Sequence, residues 1–301
     1  MRVVAALGGN ALLERGELPG ARVQEEHVLK AALALAPLAQ EHELVLTHGN
    51  GPQVGLLALE NAGDRGLPAP YPFDVLGAQT QGMIGYWLLQ AVQNALPGGR
   101  VACLVSRTLV SADDPAFGRP TKFVDPVYDE TEARGLAAAH GWEVRQDGTR
   151  WRRVVPSPEP LELLDLPSVE VLLASGAVVI CAGGGGAPVV RDAAGMLHGA
   201  EAVIDKDLTA ALLARALGAD ALLLLTDIAA VQDGFGTPQA RPLRRVTPAE
   251  LRARSFPAGS MGPKIEAVCR FAEATGKMAA IGQLEDAEAL LRGDAGTVVA
   301  V

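Results

Sequence analysis

A handful of short runs, apolar at nearly every position, most constrains how this chain can fold. Ala221–Leu225 is the clearest, an alanine followed by four leucines. Five residues are too few for a buried helix, and a strand with no polar position must be covered on both faces. Arg2–Leu7, Leu44–Thr47, Val101–Val105, Val178–Cys181 and Met278–Ile281 read as strands of the same kind, and Thr297–Val301 closes the series. Helical patterns lie between them. Gln24–Glu41 carries Val28, Ala32 and Leu35 on one stripe, and Asp74–Leu96 is long. Pro52 suits the first turn of a helix that runs to about Asn61. Val169–Ser175, Lys206–Leu217, Thr247–Arg254, Met261–Thr275 and Glu285–Arg292 complete the set. Strands alternating with helices give an α/β fold with a mainly parallel sheet. The 301 residues are enough for one large domain.

Asp113–Pro160 breaks this rhythm. It is rich in proline and charge. Glu130–His140 reads as a helix, and Asp147-Gly148 is a two-residue hairpin signal between Glu143–Gln146 and Thr149–Val155. The stretch reads as a flap projecting from the sheet, with Trp142 and Trp151 packing locally.

Charge narrows the partners. The formal net charge is −9, which repels nucleic acid and anionic membrane at long range. The longest basic cluster, Arg150, Arg152 and Arg153, is short and reads as a solvated hairpin face. Cys103, Cys181 and Cys269 are widely spaced in apolar settings, as expected of buried free thiols in a reducing compartment. The apolar run at the N-terminus is too short for a signal peptide or a membrane span, so a cytoplasmic protein is expected.

Four glycine-rich turns follow strands or open helices. They are Gly8-Gly9-Asn10, His48-Gly49-Asn50-Gly51, Gly183–Gly186 and Gly259-Ser260-Met261-Gly262-Pro263-Lys264. Glycines at the carboxyl ends of strands let backbone N–H groups approach phosphate oxygens, and helix N-termini favour the anion. Four such turns together point to a phosphate site. Only five of the 26 basic residues are lysines: Lys30, Lys122, Lys206, Lys264 and Lys277. Three of them sit in polar loop contexts, PTK, IDKD and MGPK, and lysine and arginine are not interchangeable where a compact point charge must reach a phosphate. Asp205-Lys206-Asp207 opens a helix. Lys206 can carry charge on a migrating phosphoryl group, and Asp207 can anchor Mg²⁺ or another lysine. Lys264 can neutralise nucleotide phosphates, and Lys122 can reach over the site from the flap.

Several chemistries are excluded. The sequence has no GxxxxGK[ST] P-loop, no GxGxxG after a strand, no protein-kinase pattern and no GxSxG elbow. The five histidines form no metal-spaced pair. His48 lies inside a glycine loop, where a structural role fits as well as a chemical one. Asp227, after the leucine strand, sits where a ligand contact or a turn cap would lie.

Seven long segments resemble the carbamate kinases along essentially the whole chain. They are VVAALGGNAL near the start, LTHGNGPQVG, FDVLGAQTQGMIGYWLLQ, DDPAFGRPTKFVDPVY, GWEVRQDGTRWRRVVPSPEP, GAEAVIDKDLTAALLA and AGSMGPKIEAVCRF. The resemblance implies an amino-acid-kinase fold, a three-layer αβα sandwich with a mainly parallel central sheet and a small protruding subdomain at about 113–160. The chain would be a single domain, usually a homodimer. Its N-terminal half would take carbamoyl phosphate or carbamate, and its C-terminal half, about 168–301, would take ATP or ADP with Mg²⁺. Gly8, Gly9, Asn10, Gly49, Asn50, Gly51 and Lys122 would then bind the carbamoyl side. Gly184, Asp205, Lys206, Thr226, Asp227, Phe235, Met261, Gly262 and Lys264 would bind the nucleotide. Lys122, Lys206, Lys264, Asp207 and Asn10 would serve the transfer, with Asp207 as a Mg²⁺ contact. The resemblance also implies ATP formation in arginine catabolism. One departure stands out: relatives carry an aromatic near the adenine where this chain has Gln232, and Phe235 is the candidate replacement. The rival readings are a kinase of another small anionic acid on the same fold and a non-catalytic nucleotide or metabolite sensor.

Overall fold

The computed structural model describes residues 1–9, 12–13, 17–257 and 261–301, with the backbone alone at Asp125. Its centre is an eight-stranded sheet. From one edge the order is Arg245–Val246, Thr297–Val299, Met278–Gln283, Ala221–Thr226, Arg2–Leu7, Glu43–His48, Ala177–Ile180 and Arg100–Cys103. Neighbours run parallel, except that Thr297–Val299 is antiparallel to Met278–Gln283.

The apolar runs are buried on both faces because alternate residues feed two separate cores. Val4, Ala6, Leu222, Leu224 and Ile281 face one core, with helices Leu166–Ala174, Lys206–Ala216 and Met261–Thr275. Val3, Ala5, Leu7, Leu223 and Leu225 face the other, with Ala21–Glu41, Phe73–Ala95 and Ala287–Arg292. This is the expected helix–sheet–helix sandwich. Cys181 and Cys269 are buried free thiols, and Cys103 is half-buried.

The flap is a small sheet of its own, antiparallel in the order Lys122–Tyr128, Arg150–Val155, Glu143–Asp147. Helix Glu130–His140 packs against it. Asp129 caps that helix by accepting the Glu132 N–H, and Gly141 ends it at φ +69°. The expected hairpin turns at Gly148, φ +63°. The strand Lys122–Tyr128 carries no apolar alternation and contains Pro126, which hid it in the sequence. Arg150 is exposed, as expected of the arginine cluster, but Arg152 and Arg153 depart from the expected solvated role. The Arg152 guanidinium lies 5.4 Å from the Phe123 ring centre, and Arg153 packs between Phe73 and Trp142. These side chains are 20% and 17% exposed, because the planar guanidinium can lie on an aromatic face with little loss.

The flap's root is apolar. Val124 and Val155 pack with Val54 and Ala58 of helix Gly51–Gly63 and with Phe73 and Leu76. A further four-stranded sheet has the order Leu197–Gly199, Ala187–Arg191, Arg107–Leu109 and Glu162–Leu163, its first two strands antiparallel.

Candidate active site

The carboxyl ends of four adjacent central strands, Thr226, Leu7, His48 and Ile180, release the loops that surround a cavity of about 520 Å³. Ligands of open parallel sheets bind at this end. A second cavity, about 570 Å³, lies at the opposite end of the sheet beside Arg2, Leu44, Val178 and Asp220, where no glycine loop or lysine cluster converges.

Close backbone approach explains the glycines. A Cβ on Gly49 would lie 3.0 Å from the Gly9 nitrogen and 3.2 Å from Lys206 Cε, so two loops and a lysine stem meet there. Gly184 has φ +64°, and a Cβ on it would strike the Asn50 amide. The Gly8 N–H is held by the Leu225 carbonyl at 2.8 Å. Thr108 Oγ1 and Thr209 Oγ1 both donate to the Gly185 carbonyl, at 2.8 and 3.1 Å, and fix the third loop from behind.

Asn50 does something different from what its loop suggests. Its Nδ2 donates to Thr80 Oγ1 at 2.8 Å, so the amide braces the loop, although the residue lines the cavity. His48 is buried, with Nδ1 at 2.9 Å from the Gly49 carbonyl. Since a carbonyl only accepts, the proton sits on Nδ1. Burial pushes this imidazole down to about 4 and nearby Lys206 adds to the shift, while the Gly49 bond opposes it. The ring is therefore neutral near pH 7 and acts as a brace.

The charged cluster occupies the cavity floor. Lys206 Nζ donates to Asp207 Oδ1 at 2.6 Å, and Lys264 Nζ to Asp207 Oδ2 at 2.9 Å. Asp205 divides its two oxygens. Oδ1 accepts the Asp207 and Leu208 N–H groups at 2.9 and 3.3 Å and caps the helix, while Oδ2 accepts Lys122 Nζ at 2.6 Å. Burial works against charge on Asp207, but Lys206 and Lys264 outweigh it and hold the carboxyl far below its usual range. Burial likewise opposes charge on Asp205, and Lys122 outweighs it. Lys206 is pushed down by burial, Asp207 only partly offsetting this, and by its neighbour Lys264. Lys264 is itself raised, because Asp207 overcomes the cost of burial. Three ammonium groups thus share two carboxylates, and the surplus positive charge suits an anionic phosphoryl group.

Of the residues expected on the carbamoyl side, Gly8, Gly9, Gly49, Asn50, Gly51 and Lys122 line the cavity. So do Gly184, Thr226, Asp227, Phe235 and Met261 of the nucleotide set, together with the charged cluster. Gly262 lies just outside, its N–H on the Pro257 carbonyl at 2.8 Å. Asn10 lies outside the described residues. Gln232 and the 70% exposed Phe235 stand at the same rim. Ile228 and Val231 of the stretch Thr226–Gly236, which the resemblance assigns to the nucleotide pocket, form apolar wall, and the sequence reading missed Val203 and Phe256 beside them. These come from loop positions with no periodic signal.

Asp207 reads poorly as a metal ligand, because both its oxygens accept ammonium groups. Among the described residues, no group of three or more His, Cys, Asp or Glu is arranged to hold a metal ion. The donor set fits a Mg²⁺ carried mainly by nucleotide phosphates, with Asp227 the exposed carboxylate at the rim.

Comparison with known proteins decides the family. The amino acid kinase family model matches residues 1–282. Carbamate kinase of Rhizobium meliloti is 53% identical over 99% of this chain and 93% of that protein. Carbamate kinase of Escherichia coli K12 is 50% identical over 99% of both. This chain belongs to the carbamate kinases of the amino acid kinase family. As a carbamate kinase it is a phosphotransferase, and identity near 50% along its whole length favours neither rival reading. Carbamate kinase from Giardia lamblia bound to citric acid superposes with a TM-score of 0.93 at 40% identity, covering 99% of this chain and 97% of that one. The same enzyme bound to AMP-PNP superposes with a TM-score of 0.89. Among the described residues no helix is long and apolar enough to cross a membrane.

Proposed function

We propose that the chain moves a phosphoryl group reversibly and in line between ATP and carbamate, giving ADP and carbamoyl phosphate. The observation that carries this reading is Asp207 shared by Lys206 and Lys264, beside Asp205 holding Lys122, where the glycine loops meet. A carbamate oxygen forms a bond to the γ-phosphorus as the bond from that phosphorus to the β–γ bridging oxygen breaks, and the electron pair leaves with ADP. No protein nucleophile is needed.

The chain's own groups then bind and orient. The Gly8–Gly9 and Gly49–Gly51 loops take the carbamoyl side, Asn10 is assigned with them from the family resemblance, and Lys122 covers it from the flap. Lys206 neutralises the migrating group. Lys264 neutralises the nucleotide phosphates, and Gly184, Thr226–Gly236 and the Met261–Gly262 turn form the nucleotide half. Phe235, exposed at the rim, is the aromatic available to a base where Gln232 offers none. Mg²⁺, carried on the phosphates, would supply further charge neutralisation. That the Giardia lamblia enzyme is found bound to AMP-PNP supports ATP as the nucleotide substrate.

We further propose one domain of two halves and a flap, a cytoplasmic setting, ATP formation in arginine catabolism as the working direction, and a homodimer. Leu29 and Leu33, 46% and 58% exposed and one turn apart on a single helix, with Tyr86 56% exposed on a neighbouring one, support pairing through that side.

The test is ATP formation from ADP, Mg²⁺ and carbamoyl phosphate, against acetyl phosphate and a control without enzyme. Fast production selective for carbamoyl phosphate is expected. None from folded protein would overturn the reading.

A further inference from the structure

Arg153 carries an aromatic ring on each of two contacts. Its Cζ lies 4.7 Å from the Phe73 ring centre and 4.4 Å from that of Trp142. Nη2 is 4.0 Å from Glu201 Oε1, and the other Glu201 oxygen accepts the Phe73 N–H at 2.8 Å. One side chain therefore joins the flap, the first turn of helix Phe73–Ala95 and the loop that leads to Asp205.

The flap's ladder connects this clamp to Lys122. Val124 pairs with Arg153, and Lys122 with Val155. Directly paired residues share a face, and so do alternate residues of one strand. Arg153 and Lys122 thus lie on the same face of the flap. Segment 201–205 is gripped at both ends, by Arg153 at Glu201 and by Lys122 at Asp205. Between them the Val203 N–H donates to the Pro156 carbonyl at 2.9 Å.

We propose that Arg153 is a positioning residue for phosphoryl transfer, seating the flap so that Lys122 reaches Asp205 beside the Lys206–Asp207–Lys264 cluster. This rests on the reading of Lys122 given above. Burial disfavours the Arg153 charge, and Glu201 opposes that shift. The rings offset the rest of the cost, since a guanidinium plate stacks on aromatic faces in a way that a lysine ammonium does not. The clamp reaches the site through Lys122, because its contacts are to the flap, to the start of Phe73–Ala95 and to segment 201–205.

The test is a double-mutant cycle on the full chain, with folding checked by circular dichroism. Arg153→Ala and the milder Arg153→Lys are each measured with and without Lys122→Ala. Arg153→Lys should lower kcat/KM for carbamoyl phosphate about tenfold, chiefly through its KM, with the Kd for ADP unchanged. On the Lys122→Ala background the same substitution should add nothing. An equal factor on both backgrounds, or no effect in either Arg153 variant, would overturn the clamp. Lys122→Ala that is itself silent would overturn the role of Lys122, and the clamp with it.

Discussion

The charges that meet over the cavity are held in two different ways. Lys206, Asp207 and Lys264 stand on two helices of the central sandwich, and their side chains are 13%, 5% and 14% exposed. Lys122 stands on a three-stranded flap, is 33% exposed, and reaches the same place through a single carboxylate. The flap's third strand, Glu143–Asp147, is largely exposed, and its root rests on a small apolar cluster and an arginine between rings. Charges buried in a rigid frame are preorganised for the transferring group and cost no rearrangement during reaction. A charge on a small, weakly rooted sheet can withdraw to admit an anion and return over it.

This contrast predicts unequal consequences for stability. Asp207→Asn leaves two buried ammonium groups without their carboxylate. It should cost about 3 to 5 kcal/mol in denaturant unfolding and remove most turnover. Lys122→Ala breaks a more exposed contact, while Asp205 keeps its two backbone donors. It should cost about 1 kcal/mol or less in the same experiment, yet still impair use of carbamoyl phosphate. Equal losses of stability would erase the distinction between frame and flap.

A smaller effect separates the frame's brace from its charges. The His48 imidazole is held down to about 4 against an ordinary value of about 6.5. Between these values the unfolded chain binds the extra proton, so stability is full above about pH 6.5 and falls as pH drops toward 4. The difference in unfolding free energy between wild type and His48→Gln should change by up to about 3 kcal/mol across that window. A flat difference would mean that the ring is not held neutral. Asp207 follows the same sign at lower pH. Its contribution is complete above the ordinary carboxylate range and is lost as acid protonates it.

Much of this was legible in the chain. Runs apolar at every position fixed the sheet because no other element hides them, and DKD with MGPK announced the cluster because so few lysines occur elsewhere. The pairing of Asp205 with Lys122 was not legible, since 83 residues separate them and only the tertiary fold brings them together. The bracing of Asn50 was equally hidden: a glycine loop suggests a ligand, but Thr80, 30 residues on in helix Phe73–Ala95, takes its amide N–H. The two- and three-residue strands near Arg107 and Glu162 are too short to carry a period. The stacking of Arg152 and Arg153 depended on rings supplied by other elements, so a basic run on a hairpin read as solvated.

The most direct test of the central claim is single-turnover transfer by Lys206→Ala, with ADP affinity measured on the same folded protein. If Lys206 neutralises the migrating group, ADP should still bind through Lys264 and the Thr226–Gly236 side, while the rate falls by about 10² to 10³ or more. A rate near that of the wild type would contradict the account.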